Sequence, residues 1–519
     1  MQNNSGDHGQ LFNDETVMPR GIRPPLNNLV QAFHSSSLAS STAQAQPLKQ
    51  SHLESSECDQ AAGEFHLSSR GAYNSCFRDV WGPREKLALG TWSETNPDGR
   101  VLLRLAENNL VHPEVAAFIQ KQFKILPLDH LTYNTGPRGS FRLRHALSRY
   151  FEQEFNSFLP VTPDDLFMTA GLTGAIDSLV FAICNPGDGI LVPEPFYNGF
   201  KIDITHRSDA HIVGVSYDDL EGDSSLEDVF DAAMTKKALN AALVKAHSRG
   251  IKPRAVLISN PHNPLGRCYP LETIQAFMTF CNENNLHFIS DEIYAKSVFE
   301  NPALDAQFTS ALSLDWKSLI SPNQFHVLYS ASKDFCANGL RLGVVYSKNE
   351  GLFRSMSSIG AFSWTPHLVQ DIWASMLEDE GWRTELHKKN KSLMAENYGV
   401  ITDFMQQHDI PYCEMNAGLY LWVDCRRFLV PMEQRTRADL GSLRVGGPND
   451  DVFKQREARF VDICIESGVL ISPGTIYQAR DYGWFRITFT AVRPMLEEGL
   501  RRFAKVLESQ EVSHWNKAS

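Results

Sequence analysis

The sequence predicts an α/β protein with a mainly parallel sheet in a large domain and a smaller α+β domain. Short, almost wholly apolar runs recur between residues 165 and 347, and helical patterns lie between some of them. Such alternation is typical of a parallel sheet that is covered on both faces. After about residue 365 the chain changes to long helical patterns followed by short strand-like runs. Its 519 residues also exceed what one simple core accommodates.

Changes in composition divide the chain into segments. The N-terminal stretch is rich in Ser, Gln, Asn and Ala, and it has too few large apolar residues to offset the entropy lost on ordering. Residues 435–451 are predicted to be a solvated loop. We predict a disordered tail (1–65), an N-terminal arm that contributes to the small domain (66–110), a large domain (111–364), a small C-terminal domain (365–508) and a second tail (509–519).

The charge balance and the cysteine pattern narrow the class of partner. The net charge is -12, and no long basic run occurs, which argues against nucleic acid or an anionic membrane surface as the main partner. No run of about 18 apolar residues predicts a membrane span. The nine cysteines form no C-x-x-C pair, as expected for reduced thiols, so zinc is not expected and no metal site is predicted. We expect a cytoplasmic protein with a small-molecule substrate.

The stretch YSASKDFCANGLRLG (329–343) lies between two apolar runs that read as buried strands. Lys333 therefore follows the end of a core strand, where an unpaired ammonium is unfavourable. Desolvation and the nearby Arg341 should lower its pKa from about 10.4 toward neutrality, so that it can attack a carbonyl. On this stretch alone, a surface lysine beside a loop is an equally good interpretation. Ser330 and Lys333 also form the S-x-x-K of penicillin-binding proteins, but no KTG accompanies it.

Other strand ends carry polar residues too. The strand DLFMTA (165–170) leads through the small-residue turn Gly171 to Gly174 into a helix that starts near Thr173, which predicts a site for an anion such as phosphate. Ligands of parallel sheets bind at the carboxyl ends of the strands. The polar residues at the other strand ends, which we expect to face one crevice, are Asn263, Asp291, Tyr294, Ser330 and Lys333.

These residues and Arg486, on a late strand, together meet the needs of pyridoxal phosphate. That cofactor requires a lysine for its aldehyde, a carboxylate that keeps its ring nitrogen protonated, and cationic or hydroxyl donors for its phosphate. An amino-acid substrate requires a bidentate arginine for its carboxylate. The sequence therefore predicts a pyridoxal-phosphate site in the large domain.

Motifs along residues 67–508 resemble those of one family, in the same order. The chain resembles fold-type I pyridoxal-phosphate enzymes of the class I/II aminotransferase superfamily, and within it the 1-aminocyclopropane-1-carboxylate synthases and their synthase-like relatives. The motifs that carry the resemblance are RLAENNL, LTYNTGPRGSFRLR, TAGLTGA, VPEPFYNGFKID, ISNPHNPLG, SDEIYAKSVF, YSASKDFCANGLRLG and SPGTIYQARDYGWFRITF.

The resemblance implies a role for each residue. Lys333 would bind the cofactor covalently and move the Cα proton of the substrate, and Asp291 would pair with the ring N–H. Tyr294 and Asn263 would hold the ring's phenolic oxygen, and Tyr197 would stack on the ring. Tyr197 as a core aromatic stays an open alternative.

The resemblance also implies the phosphate and substrate contacts. Arg486 would bind the substrate's carboxylate, and Tyr133 would reach the phosphate of the neighbouring subunit in a homodimer. A structural cap at the strand end stays an alternative for Ser330. The residues expected at the phosphate are Leu172, Thr173, Ser330 and Arg341.

Details of the motifs bear on the reaction. AEN at 106–108 and the GF-x-x-D of FYNGFKID favour the synthase-like branch, whereas Phe196 and the loop around Tyr133 differ from the plant synthases. We expect an enzyme that removes the Cα proton through Lys333 and then breaks a carbon–sulfur bond. Glu107 would bind the substrate, although a helix N-cap at Asn108 or Asn109 is the structural interpretation of this stretch. The alternatives are an aminotransferase, which converts an amino acid to a keto acid, and an inactive protein that keeps the fold for binding.

Overall fold

The computed structural model describes residues 60, 63–64, 69–77, 90–122, 128–133, 135–218, 220, 225–304, 306–430 and 443–509. The predicted tails, 1–65 and 509–519, fall outside these residues except for 60, 63, 64 and 509. In the described part of the chain, no helix combines the length and the apolar character needed to cross a membrane.

The described strands form three sheets of seven, three and two strands. The strands in chain order are β1 (Val101–Leu102), β2 (Leu166–Thr169), β3 (Gly189–Pro193), β4 (His211–Val215), β5 (Pro253–Ser259), β6 (His287–Asp291), β7 (Phe325–Ser330), β8 (Gly343–Ser347), β9 (Tyr420–Asp424), β10 (Val469–Leu470), β11 (Ser472–Pro473) and β12 (Trp484–Thr488).

The described α-helices are numbered in the same way. They are α1 (Ser69–Phe77), α2 (His112–Gln122), α3 (Phe141–Glu154), α4 (Gly171–Ile183), α5 (Phe200–Thr205), α6 (Ala232–Ser248), α7 (Leu271–Glu283), α8 (Glu350–Gly360), α9 (His367–Glu378), α10 (Glu380–Gln407), α11 (Asp450–Glu466) and α12 (Arg493–Glu508).

The seven-stranded sheet has the order β2-β8-β7-β6-β5-β3-β4. Its neighbouring strands are parallel except where β8 pairs with β2 and β7. The prediction of a mainly parallel α/β sheet is confirmed. The sequence pattern predicts neither β4, whose residues are only partly buried, nor the reversed direction of β8.

Both faces of this sheet are buried, which explains its apolar strands. Along β5, Leu257 packs into one core, while its neighbours Val256 and Ile258 pack into the other. Successive side chains of a strand point to opposite faces, so a strand between two helical layers must be apolar throughout. Helices α4 and α8 line the first core, and α3, α6 and α7 line the second.

The two smaller sheets gather the later part of the chain. β9, β12 and β11 form an antiparallel sheet, and β1 pairs in parallel with β10. A strand of the N-terminal arm is thereby joined to the C-terminal part of the chain. Helix α9 contacts α3, since the N-cap Ser140 donates its backbone N–H to Gln370 Oε1 over 2.7 Å. The predicted domain limits themselves stay predictions.

The segment 435–451 is only partly a loop. Residues 435–442 lie outside the described residues, but Leu443 is fully buried and α11 begins at Asp450. The prediction of a solvated loop is therefore wrong at its C-terminal end. The sequence pattern does not indicate the burial of Leu443, because glycine and charged residues surround it.

Candidate active site

Lys333 lies three residues beyond the end of β7. Its Nζ donates a hydrogen bond to the backbone carbonyl of Ala106. Burial, followed by the guanidinium of Arg486, lowers the pKa of Lys333 to about 8, while Glu107 and Asp291 oppose the decrease. At pH 7 about a tenth of such a group is neutral, against less than about 0.1% of an ordinary lysine. The direction of this shift is the one that the sequence analysis expects.

Asp291 is the last residue of β6 and is buried. Its Oδ1 accepts a hydrogen bond from the backbone N–H of Ile293 over 3.1 Å. Burial raises the pKa of Asp291 to about 7, and Lys333 acts in the opposite direction. A cationic group placed against this carboxyl would favour its ionised form.

Arg486 projects from β12 and is 2% exposed. Nη1 donates to Asn263 Oδ1 over 3.1 Å, and Nη2 donates to the carbonyl of Arg104 over 2.9 Å. The rings of Tyr420 and Tyr477 lie 4.4 and 4.6 Å from the guanidinium carbon. Nε is buried and has no hydrogen-bond partner in the described part of the chain. The site therefore presents a buried cation with a free donor.

Tyr294 lies within electrostatic range of both Arg486 and Tyr197. The ring of Tyr294 meets that of Tyr420 edge to face, with centroids 5.8 Å apart. Burial raises the pKa of Tyr294, so its hydroxyl stays protonated. Tyr197 is half-buried and contacts the ring of Phe200 at 5.4 Å, which is compatible with either interpretation of that residue.

The start of α4 and Arg341 form a compact cradle. Gly171 has φ +74°, and a Cβ on it would lie 2.5 Å from Arg341 Nη2, so only glycine allows the guanidinium to approach the helix start. The first-turn N–H groups of Leu172 and Thr173 have no partner within the helix. Together with the cationic Arg341 and the helix dipole, they suit a phosphate.

Two serines lie next to each other beyond β7. Ser330 Oγ accepts a hydrogen bond from Ser332 N over 3.0 Å and lies 2.8 Å from the carbonyl oxygen of Leu342. These are the bonds of a strand-end cap. Ser332 Oγ lies 2.7 Å from Ser330 Oγ. Ser332 is not among the predicted site residues, although the S-x-S-K spacing contains it.

Glu107 lies close to the lysine. Its Oε1 accepts a hydrogen bond from Asn338 Nδ2 over 3.0 Å, and its carboxylate raises the pKa of Lys333. The interpretation of Asn108 or Asn109 as a helix N-cap is wrong, because α2 begins only at His112. Asn108 instead donates to Asn390 Oδ1 over 2.8 Å.

Tyr133 is not brought together with the other predicted residues in a single chain. Its side chain is 86% exposed, and its nearest described ring is that of Trp364, 5.9 Å away. The role of Tyr133 at the neighbouring subunit's phosphate therefore stays a prediction.

Asp203 is a further residue of the candidate active site. It is the Asp of FYNGFKID but is not among the predicted site residues. It is buried on α5 and is hydrogen-bonded by the side chain of Thr173. Burial raises the pKa of Asp203 to about 7, and Asp291 adds to the increase. Asp203 thus fixes the first turn of α4, which forms the cradle.

This donor set fits pyridoxal phosphate. An aldehyde needs a partly neutral lysine, a ring N–H needs a buried carboxylate, and a phosphate needs free N–H groups beside a cation. These three needs are met, in turn, by Lys333, by Asp291 and by the contact between Gly171 and Arg341.

Comparisons with known proteins find similar chains. The model of the family described as aminotransferase class I and II matches residues 100–505. "Probable aminotransferase gliI" of Aspergillus fumigatus is 31% identical over 415 residues, which cover 79% of this chain and 89% of that protein. "1-aminocyclopropane-1-carboxylate synthase 1" of Prunus mume is 28% identical over 443 residues, which cover 81% and 83%.

A solved structure supports the fold. A single mutant of Thermus thermophilus aspartate aminotransferase superposes with a TM-score of 0.61, covers 90% of this chain and 99% of its own, and is 19% identical. At this identity the likeness concerns the fold alone, which is that of fold-type I aminotransferases.

Proposed function

Because the chain belongs to the class I and II aminotransferase family, and is therefore a pyridoxal-phosphate-dependent enzyme of the aminotransferase and lyase kind, we propose that it cleaves a carbon–sulfur bond in an amino acid or amino-acid-derived metabolite. The observation that carries the proposal is the position of Glu107. Its carboxylate is held by Asn338 and is near enough to Lys333 to raise the pKa of that lysine. A fixed carboxylate beside the base favours a substrate that carries a sulfonium or an amine.

Arg486 is proposed to bind the carboxylate of the substrate. Its Nε has no hydrogen-bond partner in the described residues, and its other two nitrogens are held by Asn263 and Arg104. A carboxylate binds best to an oriented guanidinium from which water is excluded. The adjacent rings of Tyr420 and Tyr477 provide that shielding.

Lys333 is proposed to be the base. When bound, pyridoxal phosphate delocalises negative charge from the substrate's Cα into its ring. A lysine with a pKa of about 8 is close to the working pH, where a general base is most effective. Asp291 would supply the negative charge opposite the ring nitrogen, and Asn263 and Tyr294 would hold the phenolic oxygen.

The electron pair left by the Cα proton then breaks the carbon–sulfur bond. That pair forms either a new carbon–carbon single bond, which closes a ring, or a carbon–carbon double bond. Both electrons of the broken carbon–sulfur bond leave with sulfur. A sulfonium leaves as a neutral thioether, whereas a thioether leaves as a thiolate that takes up a proton. Glu107 would orient the sulfur-bearing side chain for this step.

Transamination is the second candidate. It would use the same Lys333, Asp291 and Arg486, with Lys333 giving the proton back and no sulfur leaving the substrate. The relative named a probable aminotransferase, at 31% identity, favours it. An inactive binding protein is disfavoured, because binding alone requires neither a lysine of lowered pKa nor a buried carboxylate opposite it.

A homodimer in the cytoplasm is part of the proposal. Tyr133, Leu131 and Phe362 are 86%, 71% and 86% exposed, and Trp364 lies beside Tyr133. Apolar side chains exposed to this degree in one region are typical of an interface. The cytoplasmic location rests on the cysteine pattern alone.

Product analysis tests the reaction. The purified holoenzyme would be incubated with sulfonium, thioether and simple amino acids. Thiol or thioether release, with ammonia and a keto product or 1-aminocyclopropane-1-carboxylate, supports cleavage. Only keto acid and pyridoxamine phosphate, from all substrates, would establish transamination instead.

A further inference from the structure

Two histidines and one aspartate meet outside the candidate active site. His130 lies on the short helix Leu128–Leu131, and His367 and Asp371 lie one turn apart at the start of α9. One ligand atom from each residue lies within 4.8 Å of the other two. Side chains four residues apart on a helix share one face, which directs His367 and Asp371 to the same point.

The distances are close to those of a metal site. His130 Nε2 lies 2.6 Å from Asp371 Oδ2, and His367 Nε2 lies 3.7 Å from Asp371 Oδ1. Metal bonds of about 2.0–2.1 Å in a tetrahedral site place neighbouring ligand atoms about 3.3 Å apart. The two distances involve different oxygens of Asp371, one shorter and one longer than that separation. One ligand atom from each of the three residues lies within 4.8 Å of the others, so small side-chain rotations would place them around one metal ion.

The cluster contains unused binding capacity. The side chains of His130, His367 and Asp371 are only 4%, 13% and 14% exposed. Asp371 Oδ1 and His130 Nδ1 are buried, and neither has a hydrogen-bond partner among the residues that the structure describes. Buried polar atoms are rarely left unpaired, and a bound ion or water is a usual partner for them.

The local charge also suits a cation. One positive group beside the cluster is Arg142, whose Nη1 lies 3.6 Å from Asp371 Oδ1. Glu378 binds this guanidinium through Nε at 3.1 Å and Nη2 at 2.6 Å, and Ser375 Oγ accepts from Nη2 at 3.0 Å. Glu378 holds Arg142 at shorter distances than Asp371 does, so the guanidinium engages the carboxylate of Asp371 only in part.

We propose that His130, His367 and Asp371 bind one divalent transition metal of the zinc class, with water as the fourth ligand. Imidazole nitrogen with carboxylate oxygen suits zinc, cobalt, nickel and copper, whereas magnesium and calcium prefer oxygen ligands alone. The metal would join the Leu128–Leu131 helix to α9. Tyr133 is two residues beyond that helix, so the metal would also restrain the segment that presents it.

Cobalt(II) is the probe for the test, since tetrahedral cobalt absorbs visible light. The holoenzyme would be freed of metal with a chelator, titrated with cobalt chloride, and then with zinc chloride in competition. The variants are His367→Ala and Asp371→Asn, and the control is His145→Ala, an exposed histidine on α3. Bound-cofactor absorption would establish that each variant is folded, and Asp371→Asn keeps the shape of its side chain.

The wild type and the control should bind one cobalt per chain and lose it to zinc. Loss of an outer-shell partner alone costs about 10–100-fold in affinity, so loss of a direct ligand should weaken binding by at least about 100-fold. Absence of tetrahedral cobalt in the wild type, or equal binding by His367→Ala and Asp371→Asn, would overturn the proposal.

Discussion

Arg486 donates a hydrogen bond to Asn263 over 3.1 Å, although the two residues are 223 positions apart in the chain. The bond connects β12 of the small antiparallel sheet with the loop that follows β5 of the large sheet. Asn263 is predicted to hold the cofactor and Arg486 the substrate. One bond between buried groups thus fixes the distance between the two predicted binding positions.

Gly171→Ala should weaken binding of the cofactor. The added Cβ would lie 2.5 Å from Arg341 Nη2, at φ +74°, so the guanidinium must leave the helix start. Loss of one charge-assisted hydrogen bond, worth about 1.5–3 kcal/mol, predicts at least about tenfold weaker binding. Titration of the cofactor-free protein with pyridoxal phosphate, followed by absorbance, measures this.

Gly174→Ala is the matched control for that change. A Cβ there would lie 3.7 Å from the Cβ of Ala170, which is an ordinary contact, and it would not approach Arg341. The control should bind the cofactor as the wild type does. Equal weakening in both variants would attribute the effect to the helix itself, and unchanged binding by Gly171→Ala would place the phosphate elsewhere.

Lys333→Ala should abolish turnover and leave the fold intact. Loss of the base and of the covalent anchor together predicts a decrease of about 10⁴-fold or more. In the wild type, borohydride reduction followed by peptide mass spectrometry should locate the cofactor on Lys333. Lys201 is the main alternative site of covalent attachment, because burial also lowers its pKa to about 8. A label on Lys201 would refute the assignment.

The sequence predicted those parts of the site that follow strand ends. Asp291, Ser330 and Lys333 could be located because a buried strand is an unbroken apolar run and its end is marked by the first polar residue. β4 could not be predicted in this way, because it lies at the edge of the sheet, where burial is incomplete. The reversed direction of β8 could not be predicted either, because an apolar run carries no information about the direction of a strand.

Contacts between distant parts of the chain were not predictable from one sequence. The pairing of Arg486 with Asn263 depends on two sheets meeting, and no local pattern encodes it. The same holds for His130 and Asp371, which are 241 positions apart. Cysteine spacing, which served to judge metal binding, carries no information about such a histidine and carboxylate cluster.

Mixing two variants tests the homodimer. If Tyr133 completes the site of the neighbouring subunit, Tyr133→Ala and Lys333→Ala should be poorly active alone. After subunit exchange, half of the dimers are hybrids with one whole site of two, so activity should reach about a quarter of the wild-type value. In the control mixture, the variant Phe158→Ala takes the place of Tyr133→Ala. Phe158 is another exposed aromatic residue, and its side chain is 54% exposed. Failure to regain activity, or an active monomer by light scattering, would contradict the proposal.

Glu107→Gln tests the type of reaction. It keeps the shape of the side chain and its acceptor for Asn338, but it removes the charge beside Lys333. A charge-assisted hydrogen bond to the substrate is worth about 1.5–3 kcal/mol, or about 10–150-fold. The variant should therefore lose that factor with sulfonium or amine-bearing substrates and keep its rate of half-transamination with alanine or an aromatic amino acid.

Asn338→Ala separates the charge of Glu107 from its position. This variant keeps the carboxylate but removes the donor that holds it at 3.0 Å, so its loss with cationic substrates should be smaller than that of Glu107→Gln. The measurement is parallel product analysis: released thiol or thioether, with ammonia and a keto product or 1-aminocyclopropane-1-carboxylate, against pyridoxamine phosphate. If wild type and Glu107→Gln form only pyridoxamine phosphate and keto acid at equal rates, the enzyme is an aminotransferase. Glu107 then serves only to connect its loop to Asn338.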